Sequence, residues 1–187
     1  MLEQLTDLIK NHAGNSIINN NDIPNEKNNE AIGLASNSVV SGIQQAISSG
    51  NLKGVLSLFS GKDDVSQNPV SQNIESGFID KLKSQFGLDQ TQASGAASGL
   101  IPDVLKNLVQ KTNDPGNSQF DLQNILNQVT GGKASGFNMQ SLLDKYKSGA
   151  FDKDGDGDTD LQDVMSLLKG SGTEGGGIMD SIKGFFK

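Results

Sequence analysis

Five aspartates stand at alternate positions from Asp152 to Asp160, and a sixth follows at Asp163, all within a stretch that reads Asp-Lys-Asp-Gly-Asp-Gly-Asp-Thr-Asp-Leu-Gln-Asp. Carboxylates this dense repel one another unless a cation neutralises them. Their hard oxygens suit calcium, which takes six to eight oxygen ligands at about 2.3–2.6 Å. With Asp152 as position 1, the ligand-type residues fall at positions 1 (Asp152), 3 (Asp154), 5 (Asp156), 7 (Asp158), 9 (Asp160) and 12 (Asp163), and Gly157 falls at position 6. Glycine at position 6 allows the sharp turn that lets one short loop wrap an ion. Position 7 contributes its backbone carbonyl in such loops, so the Asp158 side chain is expected to face water.

The spacing is that of an EF-hand loop, with two departures. Position 12 is Asp163 rather than Glu, so a shorter arm reaches for the ion. Position 8 is Thr159, where paired EF-hands place an aliphatic residue, and the chain has no second loop of this kind. Both features resemble dockerin and thrombospondin type 3 calcium repeats as much as regulatory EF-hands. A single unpaired loop of this type is expected to bind weakly, at about 10⁻⁵–10⁻³ M, with magnesium able to take the site when calcium is low. Met139 and Met165 flank the loop. A sensor would expose a Met-rich groove, but two methionines at core spacing favour plain core, and hence a structural staple over a switch.

Composition removes most other chemistry. The chain has no Cys and no Trp, one His and one Tyr, so disulfides, thiolate metal sites and cysteine nucleophiles are excluded. The net charge is −7, of which the loop's six Asp and one Lys account for −5, leaving −2 for everything else. The acidity belongs to one site, and nothing here offers the basic surface that neutralises nucleic-acid phosphates. His12 ends the first helical pattern with no partner nearby in sequence, and is expected to be a helix-end cation. No nucleophile elbow, phosphate loop or paired-His zinc motif is present, and no enzymatic role is expected. No run approaches the roughly 18 consecutive apolar residues of a membrane span, and the first ten residues lack the pattern of a secretory leader, so a cytoplasmic chain is expected.

The elements that would position the loop are all helical. Residues 2–11 place Leu2, Leu5, Leu8 and Ile9 on one face, and an Asn-rich loop follows. A helix over about 26–47 aligns Ile32, Ala35, Val39, Ile43 and Ile47. Asn68-Pro69 reads as N-cap plus N1 proline of a helix ending at Phe86 before Gly87, with Val70, Ile74, Phe78, Leu82 and Phe86 on its face. Asp89 opens a helix to about Lys111, which Pro102 is expected to kink or divide. Within it, Gly95 and Gly99 form a small-xxx-small face suited to close packing.

A shorter unit recurs at Asn51, Asp121, Asn138 and Asp160, each an Asn/Asp cap followed by apolar residues at i, i+3, i+4 and i+7. The stripes are Leu52, Val55, Leu56, Phe59; Leu122, Ile125, Leu126, Val129; Met139, Leu142, Leu143, Tyr146; and Leu161, Val164, Met165, Leu168. Convergent capping chemistry and internal duplication both account for this, and both give the same fold class. The third and fourth units bracket the loop as helix–loop–helix. Residues 170–177 are a Gly-rich linker. Residues 178–187 form a short amphipathic helix with Ile178, Met179, Ile182, Phe185 and Phe186 on its apolar face. That face would fold back on the domain, dock on a second copy or protein partner, or rest weakly on a membrane surface.

Residues 78–109, Phe-Ile-Asp-Lys-Leu-Lys-Ser-Gln-Phe-Gly-Leu-Asp-Gln-Thr-Gln-Ala-Ser-Gly-Ala-Ala-Ser-Gly-Leu-Ile-Pro-Asp-Val-Leu-Lys-Asn-Leu-Val, carry a further signal. A helix ends in Phe-Gly-Leu, an Ala/Gly-rich helix follows, and Leu-Ile-Pro leads into another apolar helix. This stretch resembles the YidB-like bacterial domain family of unknown function. The resemblance implies a small all-helical bacterial protein and supplies no catalytic residues. The resulting expectation is an all-α array of short amphipathic helices: a helical domain over 1–133 with the YidB-like core at about 69–111, an EF-hand-like helix–loop–helix over 134–169, the linker over 170–177, and the tethered helix over 178–187. Its expected function is a non-enzymatic, calcium-binding structural, self-assembling or protein-binding module. The alternative is a calcium-responsive regulator that exposes a groove or its C-terminal helix to a partner.

Overall fold

The structure, a computed structural model, describes residues 2–114, 116–117, 120–132 and 138–149. Short polar side chains set where its helices begin. Asn51 Oδ1 accepts from Gly54 N at 2.9 Å and opens the helix Leu52–Ser60. Asn68 Oδ1 accepts from Val70 N at 2.8 Å ahead of Pro69, which starts Pro69–Phe86. Asp89 and Gln92 form a reciprocal capping box at the head of Gln90–Thr112. Asp121 Oδ1 accepts from Asn124 N at the head of Leu122–Val129, and Asn138 Oδ1 accepts from Ser141 N at the head of Met139–Lys147, each as a single cap. Glycines close two of these helices: Gly61 and Gly87 both sit at φ 68°, the left-handed conformation that glycine adopts without steric cost.

In chain order the α-helices are α1 (Leu2–His12), α2 (Asn28–Ser48), α3 (Leu52–Ser60), α4 (Pro69–Phe86), α5 (Gln90–Thr112), α6 (Leu122–Val129) and α7 (Met139–Lys147). Among the described residues there is no strand. The all-α expectation holds.

α4 is the central element, packed against α2 on one side and α5 on the other. Its Val70, Ile74, Phe78 and Leu82 are buried, and Phe86, at the end of the same stripe, is half-buried. The α2 face is also as the spacing predicts, with Ile32, Ala35, Val39, Ile43 and Ile47 all buried. α2 and α4 approach closely because Gly42 lies at their contact: a methyl group there would sit 2.3 Å from Ile74 Cγ1. α1 lays Leu5, Leu8 and Ile9 against α2 and α5. α3 joins α2, α4 and α5, and α7 packs on α3 and α6.

Three of the four recurring units are described, and all three form capped helices. Val55, Leu56 and Phe59 of α3, Leu122, Ile125 and Leu126 of α6, and Met139, Leu142 and Leu143 of α7 are buried, while Leu52 and Tyr146 are half-buried. The fourth unit, from Asp160, lies outside the described residues.

Pro102 does not divide its helix. α5 runs from Gln90 to Thr112 through it. Proline leaves the carbonyl of Ser98 without its helical donor, but Ser98 is exposed, so water can satisfy that oxygen. Leu100, Ile101, Val104 and Leu105 are buried on both sides of the proline and hold the helix in place. The small-residue face divides instead: a methyl on Gly99 would come 2.8 Å from Ser16 Oγ, whereas one on Gly95 would meet nothing within 4 Å. Ser16 belongs to a π-helical turn, Gly14–Ile18, inside the stretch expected as loop. That turn buries Ile17 against α5.

Candidate metal centre

The six expected ligands Asp152, Asp154, Asp156, Asp158, Asp160 and Asp163 lie outside the described residues, as do the 170–177 linker and the tail face of Ile178, Met179, Ile182, Phe185 and Phe186. The helix that leads into the loop is described. α7 begins at its Asn138 cap, buries Met139, Leu142 and Leu143, and turns Gln140, Asp144 and Ser148 outward. Gly149, at φ 74°, ends it in the left-handed conformation. Only Ala150 and Phe151 separate Gly149 from Asp152.

The last turn of α7 is tied to the body at a corner where the C-terminal turns of α3, α5 and α7 meet. Asn113, the C-cap residue of α5, donates through Nδ2 to Phe59 O of α3 at 2.8 Å and to Val109 O of its own helix at 2.9 Å. Its Oδ1 accepts from Lys147 Nζ. Lys62, just after the Gly61 cap of α3, donates through Nζ to the carbonyl of Lys147. Helix C-termini carry about half a negative charge each, so two ammonium groups among three such ends are favourably placed. Sequence reasoning missed this corner. Its one legible trace is the habit of lysine near helix C-termini, which does not say which helix the amine will reach.

Elsewhere several titratable groups make structural contacts. An open cleft between residues 61–66 and the outer face of α5 is lined by Lys62, Asp63, Asp64, Asp103 and Lys106. Asp63 Oδ2 accepts from Ser57 Oγ at 2.6 Å. Asp64 caps the 3₁₀ turn Val65–Gln67, and the backbone N–H of Ser66, followed by its hydroxyl, holds the Asp64 carboxyl below its usual value. Asp103 Oδ2 lies 2.7 Å from His12 Nδ1, so the histidine does sit at the end of α1, paired across to α5. Lys81 Nζ donates to Ser38 Oγ at 3.0 Å, and burial pushes its pKa below the ordinary lysine value. Lys27 pairs with Glu30 at 2.8 Å on the surface, and that hydrogen bond raises the Lys27 pKa.

Among the described residues no three His, Asp or Glu side chains gather into a metal-binding group, and no helix is long and apolar enough to cross a membrane. The donor set of the loop is itself the test of fit: six carboxylates and no nitrogen or sulfur ligand suit a hard divalent cation and no soft one. Comparison with protein-family models, with curated proteins and with solved structures of other proteins finds no match.

Proposed function

We propose that this chain is a non-enzymatic calcium-binding helical protein, a structural, self-assembling or protein-binding module whose loop at 152–163 takes one hard divalent cation. The single observation that carries the reading is the spacing of Asp152, Asp154, Asp156, Asp158, Asp160 and Asp163 around Gly157. Calcium is the first choice of ion, and magnesium occupies the site when calcium is scarce. Burial of Met139 in the core favours a staple over a groove-exposing sensor. The YidB-like resemblance and bacterial origin belong to this reading, supported by α4 ending at Gly87 and the long α5 that follows. Cytoplasmic residence belongs to it too, and there magnesium competes for the loop at rest. The face of Ile178, Met179, Ile182, Phe185 and Phe186 is the contact through which a second copy or a protein partner would be held.

Titration calorimetry of the full chain with calcium, beside an Asp152→Ala variant, tests the loop. The unaltered chain should give saturable heat in the range of about 10⁻⁵–10⁻³ M, and the variant none. Equal heats from the two proteins would remove the metal reading. Light scattering after size exclusion, with and without residues 170–187, tests association: a monomer in both cases counts against the self-assembling form.

A further inference from the structure

Pro102 leaves one backbone acceptor of α5 open to an outside partner. Its ring nitrogen carries no hydrogen, so the carbonyl of Ser98 lacks a helical donor. Ser98 lines the open cleft between residues 61–66 and the outer face of α5, a space of about 630 Å³. Ligand sites commonly hold about 300–1,000 Å³. Two contacts fix how the walls run. A methyl on Gly61 would lie 3.5 Å from Val109 Cγ1. Further along, the N–H of Ser66, then its hydroxyl, and in part the charge of Lys106 on the opposite wall hold the Asp64 carboxyl below its usual value. The segment 61–66 therefore runs in the direction opposite to α5. Val65, Pro102 and Val109 supply the apolar part of the lining.

Along α5 the unused groups of the cleft divide by sign. At the Ser98 end stand its open carbonyl and Asp103 Oδ1, since Asp103 Oδ2 faces His12. At the other end stand Lys106 and Gln110, whose side chains make no hydrogen bond among the described residues. Lys62, beside Gly61, adds positive charge at that end, and Asp63 is turned onto Ser57 Oγ. From Ser98 to Gln110 is twelve residues, a rise of about 18 Å along the helix. An extended chain covers that length in about five residues. Two Lys against three Asp in the lining is nearly balanced, which does not suit a polyanion such as nucleic acid. No aromatic ring is among the described residues of the lining to stack a nucleobase.

We propose that this cleft is a docking groove for a short extended segment of a protein partner, about five residues long, with a basic side chain at the Ser98–Asp103 end and an acidic one at the Lys106–Gln110 end. Alternate side chains of an extended chain point to one side, so its first, third and fifth residues face the groove. The basic residue meets Asp103, an apolar one covers Pro102 and Val109, and the acidic one meets Lys106 and Gln110. An N–H of the segment donates to the carbonyl of Ser98. The proposal rests on the protein-binding form of the reading above and needs nothing from the loop at 152–163.

The probe is the synthetic peptide acetyl-Lys-Ala-Val-Ala-Glu-amide, titrated in calcium-free buffer into the full, isotope-labelled chain and followed by backbone amide chemical shifts. Saturable shifts are expected at residues 61–66 and 98–110, complete by about 10 mM, as befits so small a contact. Acetyl-Glu-Ala-Val-Ala-Glu-amide and acetyl-Lys-Ala-Val-Ala-Lys-amide each lack one pole and should bind about two- to fivefold more weakly, the range of an exposed ion pair. Pro102→Ala returns a helical donor to the Ser98 carbonyl. It should weaken the first peptide about three- to tenfold, as for one hydrogen bond, with native helicity kept by circular dichroism. Lys106→Met should remove the preference for Glu over Lys at the last position. Absence of saturation by about 10 mM, shifts centred elsewhere, equal affinity for the three peptides, or unaltered binding by Pro102→Ala overturns the groove. Each of those outcomes leaves calcium binding, measured separately, standing as a reading of the loop. A chain that takes the peptide but no calcium loses the metal site and keeps the groove.

Discussion

Replacing Gly42 by Ala adds one methyl group at the contact of α2 and α4, and the position of that methyl is fixed by the backbone. It would lie 2.3 Å from Ile74 Cγ1, 3.3 Å from Cδ1 and 3.4 Å from Cβ. Carbon atoms in contact prefer about 3.5–4.0 Å, so the Cγ1 overlap exceeds 1 Å on that scale. Ile74 has little room to yield: it is 1% exposed, and a β-branched side chain in a helix holds one χ1 rotamer about nine times in ten. Overpacking of this kind costs about 1–3 kcal/mol. Against it stands the intrinsic gain of Ala over Gly in a helix interior, about 0.5–1 kcal/mol. Gly33 isolates that gain, because it lies in the same helix and a methyl there meets nothing within 4 Å. Gly33→Ala should therefore stabilise by about 0.5–1 kcal/mol, and Gly42→Ala should fall about 1–3 kcal/mol below it. Urea unfolding followed by circular dichroism at 222 nm measures both. In a double-mutant cycle, Ile74→Ala should cost less in the Gly42→Ala background than alone, since the new methyl fills part of the space that Cγ1 vacates. Equal stability of Gly42→Ala and Gly33→Ala, with an additive cycle, would refute the close approach of the two helices.

Asn68 is 5% exposed and spends both ends of its amide, Oδ1 on Val70 N and Nδ2 on Gly54 O; Asn68→Ala should destabilise by about 2–3 kcal/mol in urea, and a loss under about 1 kcal/mol would count against its double role. Lys81→Met should stabilise the protein modestly at neutral pH, because Ser38 Oγ keeps its bond to Leu34 O without the amine. The lowered Lys81 pKa means that the charged amine is penalised in full below the folded value and that the penalty fades as pH rises through it towards and past 10.5, so the advantage of the variant should shrink over that window. With a dissociation constant near 10⁻⁴ M, 10 mM calcium should add about 2.7 kcal/mol, or roughly 5–11 °C in melting temperature. A chelator should reverse that shift, and Asp152→Ala should show none of it.

Helix starts were legible because they depend on side chains within three residues. Asn51, Asn68, Asp89, Asp121 and Asn138 each cap the helix that their spacing announces. The stripes behind them, such as Val70, Ile74, Phe78 and Leu82, were legible because burial on one face repeats with the helical period. Division of α5 at Pro102 did not follow, because the rule against interior proline concerns a local hydrogen bond, whereas buried neighbours and an exposed Ser98 carry the helix through it. The turn at Gly14–Ile18 has too few residues to show a period. Of the candidate site, the ligand spacing is purely local and reads directly from Asp152 to Asp163. The corner around Asn113 does not, since Lys62, Asn113 and Lys147 are far apart in the chain and meet only through the packing of three helices.

The burial of α1 bears on how the chain is made. Leu5, Leu8 and Ile9 need α2 and α5 to cover them, and His12 meets Asp103 on α5. During synthesis at about 5–20 residues per second, the roughly one hundred residues between α1 and the end of α5 take about 5–20 s to emerge. For that interval the first helix lacks the α5 side of its burial site, and eleven residues hold little helix unaided. α1, made before α5, is thus completed only when α5 arrives, and until then the apolar side chains that α5 covers stay exposed.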